Sequence, residues 1–173
     1  RITTPLGTDI TIPIHGIKAI SSTGLITKPG TFGNLPSGES YLMPVEGESE
    51  GVFIVDGSMA GIGKIEDQPI TIRVEKGLVV DISGGKEATQ LRKMVEELGD
   101  PARNLAELGV GTNYMAKISG AILEDERVAG TVHLALGNNI SMGGTVNVGF
   151  HVDGIITQPT LTIDDQVILD KGE

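Results

Sequence analysis

The amino-acid sequence predicts an α+β fold: one β-rich domain of short strands in mixed or antiparallel sheet, with a single clear amphipathic helix. Three observations predict it. The length of 173 residues is that of one domain, and no repeat, low-complexity tract or linker divides it. Twenty-five glycines and eight prolines are spread along the chain and separate short β-branched runs. Only one segment carries a clear helical period.

In order, the strand-like runs are ITIPI (10–14), SYLMPV after the Pro36-Ser37-Gly38 turn, GVFIVD (51–56), PITIRVE (69–75) and GLVVDI (77–82). Then comes GKEATQLRKMVEELG, where Ala88, Leu91, Val95 and Leu98 recur at steps of three, four and three with charges between them. That spacing puts one apolar stripe along a helix of about 86–98, with Gly99 as its C-cap. A shorter helical turn is expected through NYMAKISGA (113–121). The strands GTVHLAL (130–136), TVNVGFHVD (145–153) and QVILD (166–170) complete the chain.

Composition removes several classes of function. With no cysteine, a disulfide framework, thiolate metal sites and a cysteine nucleophile are all excluded, and any metal must be held by His, Asp and Glu. A net charge of −10, three phenylalanines and two tyrosines offer neither a basic stripe for phosphates nor a stacking surface for bases, so no nucleic-acid partner is expected. There is no apolar run of about 18 residues and no signal-peptide pattern in RITTPLGTDI, so the expectation is a cytoplasmic protein with no membrane partner. The first residue is Arg, which suggests a piece of a longer protein. Phosphate-cradle, dinucleotide and nucleophile-elbow patterns all fail on spacing.

The polar groups that stand out are few. Strand alternation in TVHLAL places Val132, Leu134 and Leu136 on one face and Thr131, His133 and Ala135 on the other. In NVGFHVDG it places Gly149, His151 and Asp153 opposite Val148, Phe150 and Val152. Residues two apart on a strand face are roughly 6–7 Å apart, so His151 and Asp153 can aim at one point. Such a pair serves equally as metal ligands or as a carboxylate that fixes a histidine tautomer. Glu39 follows the Pro-Ser-Gly turn and is either a water-facing turn residue or a held carboxylate. Glu107 is a lone acid in the apolar stretch NLAELGVG, where burial is costly unless it is paired or metal-bound. Glu124-Asp125-Glu126-Arg127 is expected to be a solvated turn, His15 structural or exposed, and Asp164-Asp165 a polar turn without a role.

The ordered set FGNLPSGE, ARNLAELGVGTN, LEDERVAGTVHLALGNN and FHVDG resembles the C-terminal region of the aminopeptidase T and aminopeptidase S family of thermophilic metalloproteases, over roughly residues 30 to 165. That resemblance implies that residues 1–173 are a metal-binding C-terminal domain, with a separate N-terminal α/β domain absent from this chain. It implies five metal ligands: Glu39, Glu107, His133, His151 and Asp153. It further implies two divalent ions (Zn, Co or Mn), a homodimer, a small peptide or small-molecule substrate, and a hydrolase that releases N-terminal residues from peptides by a metal-activated water. One departure stands out, because Ile140 occupies the place of the family's tyrosine and cannot hydrogen-bond an oxyanion. A related branch, the dihydroxypyridine dioxygenases, implies instead one Fe(II) on a triad of His133, His151 and Asp153. A third expectation is a non-catalytic domain stabilised by its metal.

Overall fold

The computed structural model describes all 173 residues. Its strands are β1 (Ile2–Thr3), β2 (Asp9–Thr11), β3 (Ile20–Ser22), β4 (Glu39–Leu42), β5 (Glu50–Val55), β6 (Ser58–Met59), β7 (Gly63–Lys64), β8 (Ile70–Glu75), β9 (Leu78–Ser83), β10 (Leu105–Gly111), β11 (Val132–Gly137), β12 (His151–Ile156), β13 (Thr160–Ile163) and β14 (Gln166–Leu169). They form two seven-stranded sheets, in the orders β14-β13-β1-β2-β5-β8-β9 and β3-β4-β10-β11-β12-β6-β7. Every pairing between these strands is antiparallel.

The α+β class is thereby corrected to a mainly antiparallel β architecture. Glycine and proline turns let successive strands pair as neighbours, and helical structure outside one helix amounts to single turns. That helix, α1 (Lys86–Leu98), has the expected bounds. It buries Ala88, Leu91 and Val95 against β8 and β9, and the Gly99 N–H donates to the Val95 carbonyl. Leu98, the fourth residue of the period, is left exposed. The helical turn expected over 113–121 does not form. Gly120 adopts φ +94 and the chain turns helical only at α2 (Ile122–Asp125).

One hydrophobic cluster of 25 buried residues joins the two sheets. It takes Phe53, Val55, Ile70 and Ile72 from the first sheet and Leu108, Leu134, Leu136 and Val152 from the second. Gly154 faces the first sheet without a side chain: a Cβ there would lie 2.6 Å from Val55 Cγ2 and 2.9 Å from Met59 Sδ. The other face of the second sheet therefore remains for polar groups. No helix is long and apolar enough to cross a membrane.

Candidate metal centre

The pleat of β4, β10, β11 and β12 gathers the five singled-out side chains on one face. Register pairs Gly109 with both Tyr41 and His133, Gly111 with Glu39, Ala135 with both Glu107 and Asp153, and Gly137 with His151. Glu39, Tyr41, Glu107, His133, His151 and Asp153 thus share the face turned away from the core. Glycine and alanine between them leave the space the larger groups occupy.

Each group is fixed by its local chain. The turn ahead of Glu39 is pinned from both sides, since the Gly38 N–H donates to the Ser22 carbonyl and the Thr112 N–H to the Gly38 carbonyl. Asn113 Nδ2 also donates to the Ser37 carbonyl at 2.8 Å. Gly38 adopts φ +114, with Asn113 Cβ only 2.9 Å from where its own Cβ would be, so no other residue fits. Glu107 follows a register shift between Leu105 and Glu107 that turns its side chain to the polar face. His151 donates from Nδ1 to the Asn138 carbonyl at 2.7 Å, which leaves Nε2 directed at the acids.

Glu107 lies at the centre. Its Oε1 is 3.3 Å from His133 Nε2 and its Oε2 is 3.4 Å from His151 Nε2. Glu39 Oε2 lies 3.4 Å from His133 Nε2, and Asp153 Oδ1 lies 3.7 Å from His151 Nε2. Ligand atoms of Glu39, Glu107 and His133 come within 4.8 Å of one another, as do those of Glu107, His151 and Asp153. Glu107 belongs to both groups, so it is no outlying support to a triad of His133, His151 and Asp153.

Three buried carboxylates face one fixed cation, Arg127, whose Nη2 is 2.8 Å from Glu39 Oε1. Fully ionised and with neutral histidines, the three acids carry a charge of −3 against one arginine that Glu126 also shares, and Asp153 Oδ1 is buried without a hydrogen-bond partner. A divalent cation fits both the charge and the orphaned oxygen.

Burial and neighbouring charge pull the protonation of these groups in opposite directions. Burial would raise Glu107, but hydrogen bonds from His133 and His151 outweigh it and bring the carboxyl down to about 2. Burial would lower His151, yet Glu107 and Asp153 push it up to about 9. Burial raises both Glu39 and Asp153 above the usual carboxylate range. Desolvation, with carboxylates beside one another, disfavours ionising all three acids together.

A cation on His151 displaces its proton, so binding at pH 7 should release protons. Affinity should rise about tenfold per pH unit for each proton released, up to the His151 value of about 9. Titration calorimetry with Mn(II) in buffers of different ionisation enthalpy checks this, and binding independent of pH between 7 and 9 would contradict it. For the metal-free chain the signs differ. The His151 contribution to stability is present in full below 6.5 and lost as pH rises through about 9. That of Glu107 is present above 4.5 and lost as pH falls through about 2.

Gly109 gives a second test. A Cβ at this position would lie 1.9 Å from His133 Nε2, while its backbone conformation is open to any residue. Gly109→Ala should therefore leave the fold standing and turn the imidazole out of the cluster. Metal affinity should fall more than about tenfold, within the range seen when positioning contacts of metal ligands are lost. Circular dichroism together with metal titration separates this from unfolding.

A cavity of about 530 Å³ opens onto the cluster, lined also by Tyr41, Arg127, Asn138 and Ser141. Sequence reasoning missed all four. The run 124–127 is not a solvated turn: Asp125 is fully buried, accepts from the Ser119 and Gly120 N–H groups and from Ser58 Oγ, and Arg127 is almost fully buried against Glu39 and Glu126. A charge run carries no sign of partners that distant in sequence. For Tyr41 a signal existed, since it lies two residues after Glu39 on the same strand. Ile140 begins a short 3-10 turn and does not line the cavity, while His15 is exposed, as expected.

Antiparallel sheets that bury a core on one side, with a His and carboxylate cluster beneath a polar cavity on the other, define a β-domain able to hold a metal ion. The model of the family described as NicX, 2,5-dihydroxypyridine 5,6-dioxygenase, matches residues 1–173, and the chain belongs to that family. A curated relative, the 2,5-dihydroxypyridine 5,6-dioxygenase of Pseudomonas putida strain KT2440, is 25% identical over 184 residues, covering 96% of this chain and 51% of the relative. The solved structure of 2,5-dihydroxypyridine dioxygenase from P. putida KT2440 superimposes with a TM-score of 0.89 at 23% identity, over 99% of this chain and 53% of that one. Wild-type AmpT from Thermus thermophilus superimposes with a TM-score of 0.75 at 24% identity, over 99% and 48%. Both superpositions establish the fold, and the chain spans about half the length of these relatives.

The expected hydrolase, protease or aminopeptidase is thereby corrected. The family matched from first residue to last is one of dioxygenases, and AmpT shares the fold. Histidine and carboxylate clusters serve hydrolytic and oxidative chemistry alike, so the quoted motifs could not separate the two. The expected pair of Zn, Co or Mn ions belongs to the hydrolase and falls with it; the capacity for a metal remains.

Proposed function

We propose that this chain is the metal-binding portion of a ring-cleaving dioxygenase acting on a small dihydroxylated nitrogen heterocycle of the 2,5-dihydroxypyridine type. The observation that carries this is the full-length family match, on a chain whose cavity opens on a cluster suited to a divalent cation. Glu107, His151 and Asp153 would hold one Fe(II), with His133 in reach on the other oxygen of Glu107. Bound iron would supply the redox chemistry by which both atoms of dioxygen enter the ring. The residues themselves hold, orient and balance charge. Asn138 fixes the His151 tautomer, and Arg127 with Glu39 closes the buried side.

Residues 1–173 are read as one metal-binding domain that works as a homodimer on a small-molecule substrate, beside a further domain in the whole protein. Sedimentation of the purified protein tests the dimer. The function itself is tested by anaerobic reconstitution with Fe(II), followed by addition of 2,5-dihydroxypyridine and oxygen. One iron per chain and oxygen uptake equal to the ring lost are expected; iron binding without uptake would sink the proposal in favour of a metal that only stabilises the fold.

A further inference from the structure

The geometry points to Tyr41 as the residue that positions the ring, donating a hydrogen bond from its phenol to a ring oxygen of the substrate; this rests on the dioxygenase reading above. Tyr41 stands on β4 two residues beyond Glu39, and its strand register sets it beside Gly109, which in turn faces His133. With no side chain at Gly109, nothing of that residue separates the tyrosine ring from the imidazole. The side chain is half-buried and lines the 530 Å³ cavity over the cluster. With Asn34 and Glu39 it also lines a neighbouring cavity of about 440 Å³ walled mainly by residues 20–37.

Several of the polar groups around it are engaged with one another, while Asp153 Oδ1 is left as an unpartnered acceptor. Glu39 is paired with Arg127, Glu107 with both histidines, and His151 Nδ1 with Asn138. The Tyr41 hydroxyl has no such partner in the cluster. A tyrosine hydroxyl is a neutral donor at physiological pH, and the carboxylates nearby are acceptors only. A ring carrying two oxygens can offer one to the metal position and the other to a donor beside it. Two hydroxyls line the cavity, those of Tyr41 and Ser141; Ser141 stands on the turn 140–142, whereas Tyr41 shares the sheet face of the cluster and adds an aromatic surface for a planar heterocycle. Ile140 can do neither.

The test uses Fe(II)-loaded protein under anaerobic conditions. Binding of 2,5-dihydroxypyridine and of its singly hydroxylated 2-hydroxy and 5-hydroxy analogues is measured for the unaltered chain and for Tyr41→Phe, followed by turnover in air. Tyr41→Phe should keep its iron content and Tm, and should bind the dihydroxylated ring roughly tenfold more weakly, as for loss of one hydrogen bond to a partly charged oxygen. It should bind one of the two analogues as well as the unaltered chain does, which a merely structural role would not produce. Equal binding of all three rings by both proteins, with turnover intact, overturns the role of Tyr41 and leaves the dioxygenase standing. An unaltered chain that binds none of the rings overturns both.

Discussion

His151→Ala will leave the chain folded and unable to retain iron. The imidazole is at the edge of the cluster, partly exposed at the start of β12, so its loss opens no cavity in the core. What it removes is the Nε2 nitrogen that Asn138 holds towards Glu107 and Asp153. Loss of outer contacts to metal ligands costs about 10- to 100-fold in affinity, and loss of a ligand should exceed the upper figure. On the dioxygenase reading proposed above, iron per chain by plasma mass spectrometry should fall from one to near zero, and ring cleavage with it. Circular dichroism unchanged from the parent would show that the site was removed and the fold kept. Retained iron with retained turnover would place the centre elsewhere.

Arg127→Met will cost more in stability than any other single change at the site. The guanidinium is almost fully buried, and its removal leaves Glu39 buried without its cation. Breaking one side of such a pair costs about 3–5 kcal/mol. For a chain of this size that corresponds to a fall in Tm of roughly 6–20 °C, at about 2–4 °C per kcal/mol. Because a bound cation can take over part of the lost charge, the deficit should shrink when metal is added, and scanning calorimetry with and without Mn(II) reads the difference. A variant that melts with the parent in both conditions would mean that Glu39 is protonated and needs no partner.

Much of the site was legible because its signals are local. A histidine between small residues, a His-x-Asp on one strand and an acid after a rigid turn can each be read from neighbours within a few positions, and all five predicted residues meet on one sheet face. The strand β10 that carries Glu107 was not among the expected strands. It is buried on both faces, so it lacks alternation, and its alanine and two glycines give it weak strand propensity. Arg127 and Tyr41 were passed over for a different reason. Their partners lie tens of residues away, and only sheet register brings them together.

The sequence by itself marked the strands β5, β8, β9, β11 and β14, the helix 86–98, the absence of thiol chemistry and five polar groups that stand out from their neighbours, since each depends on residue type and short-range spacing. Only the tertiary structure decided that the sheets are wholly antiparallel, that Glu107 stands between both histidines, and that Arg127 is buried among the acids. Those are consequences of which strands become neighbours, and strand neighbourhood is set by packing across the whole core.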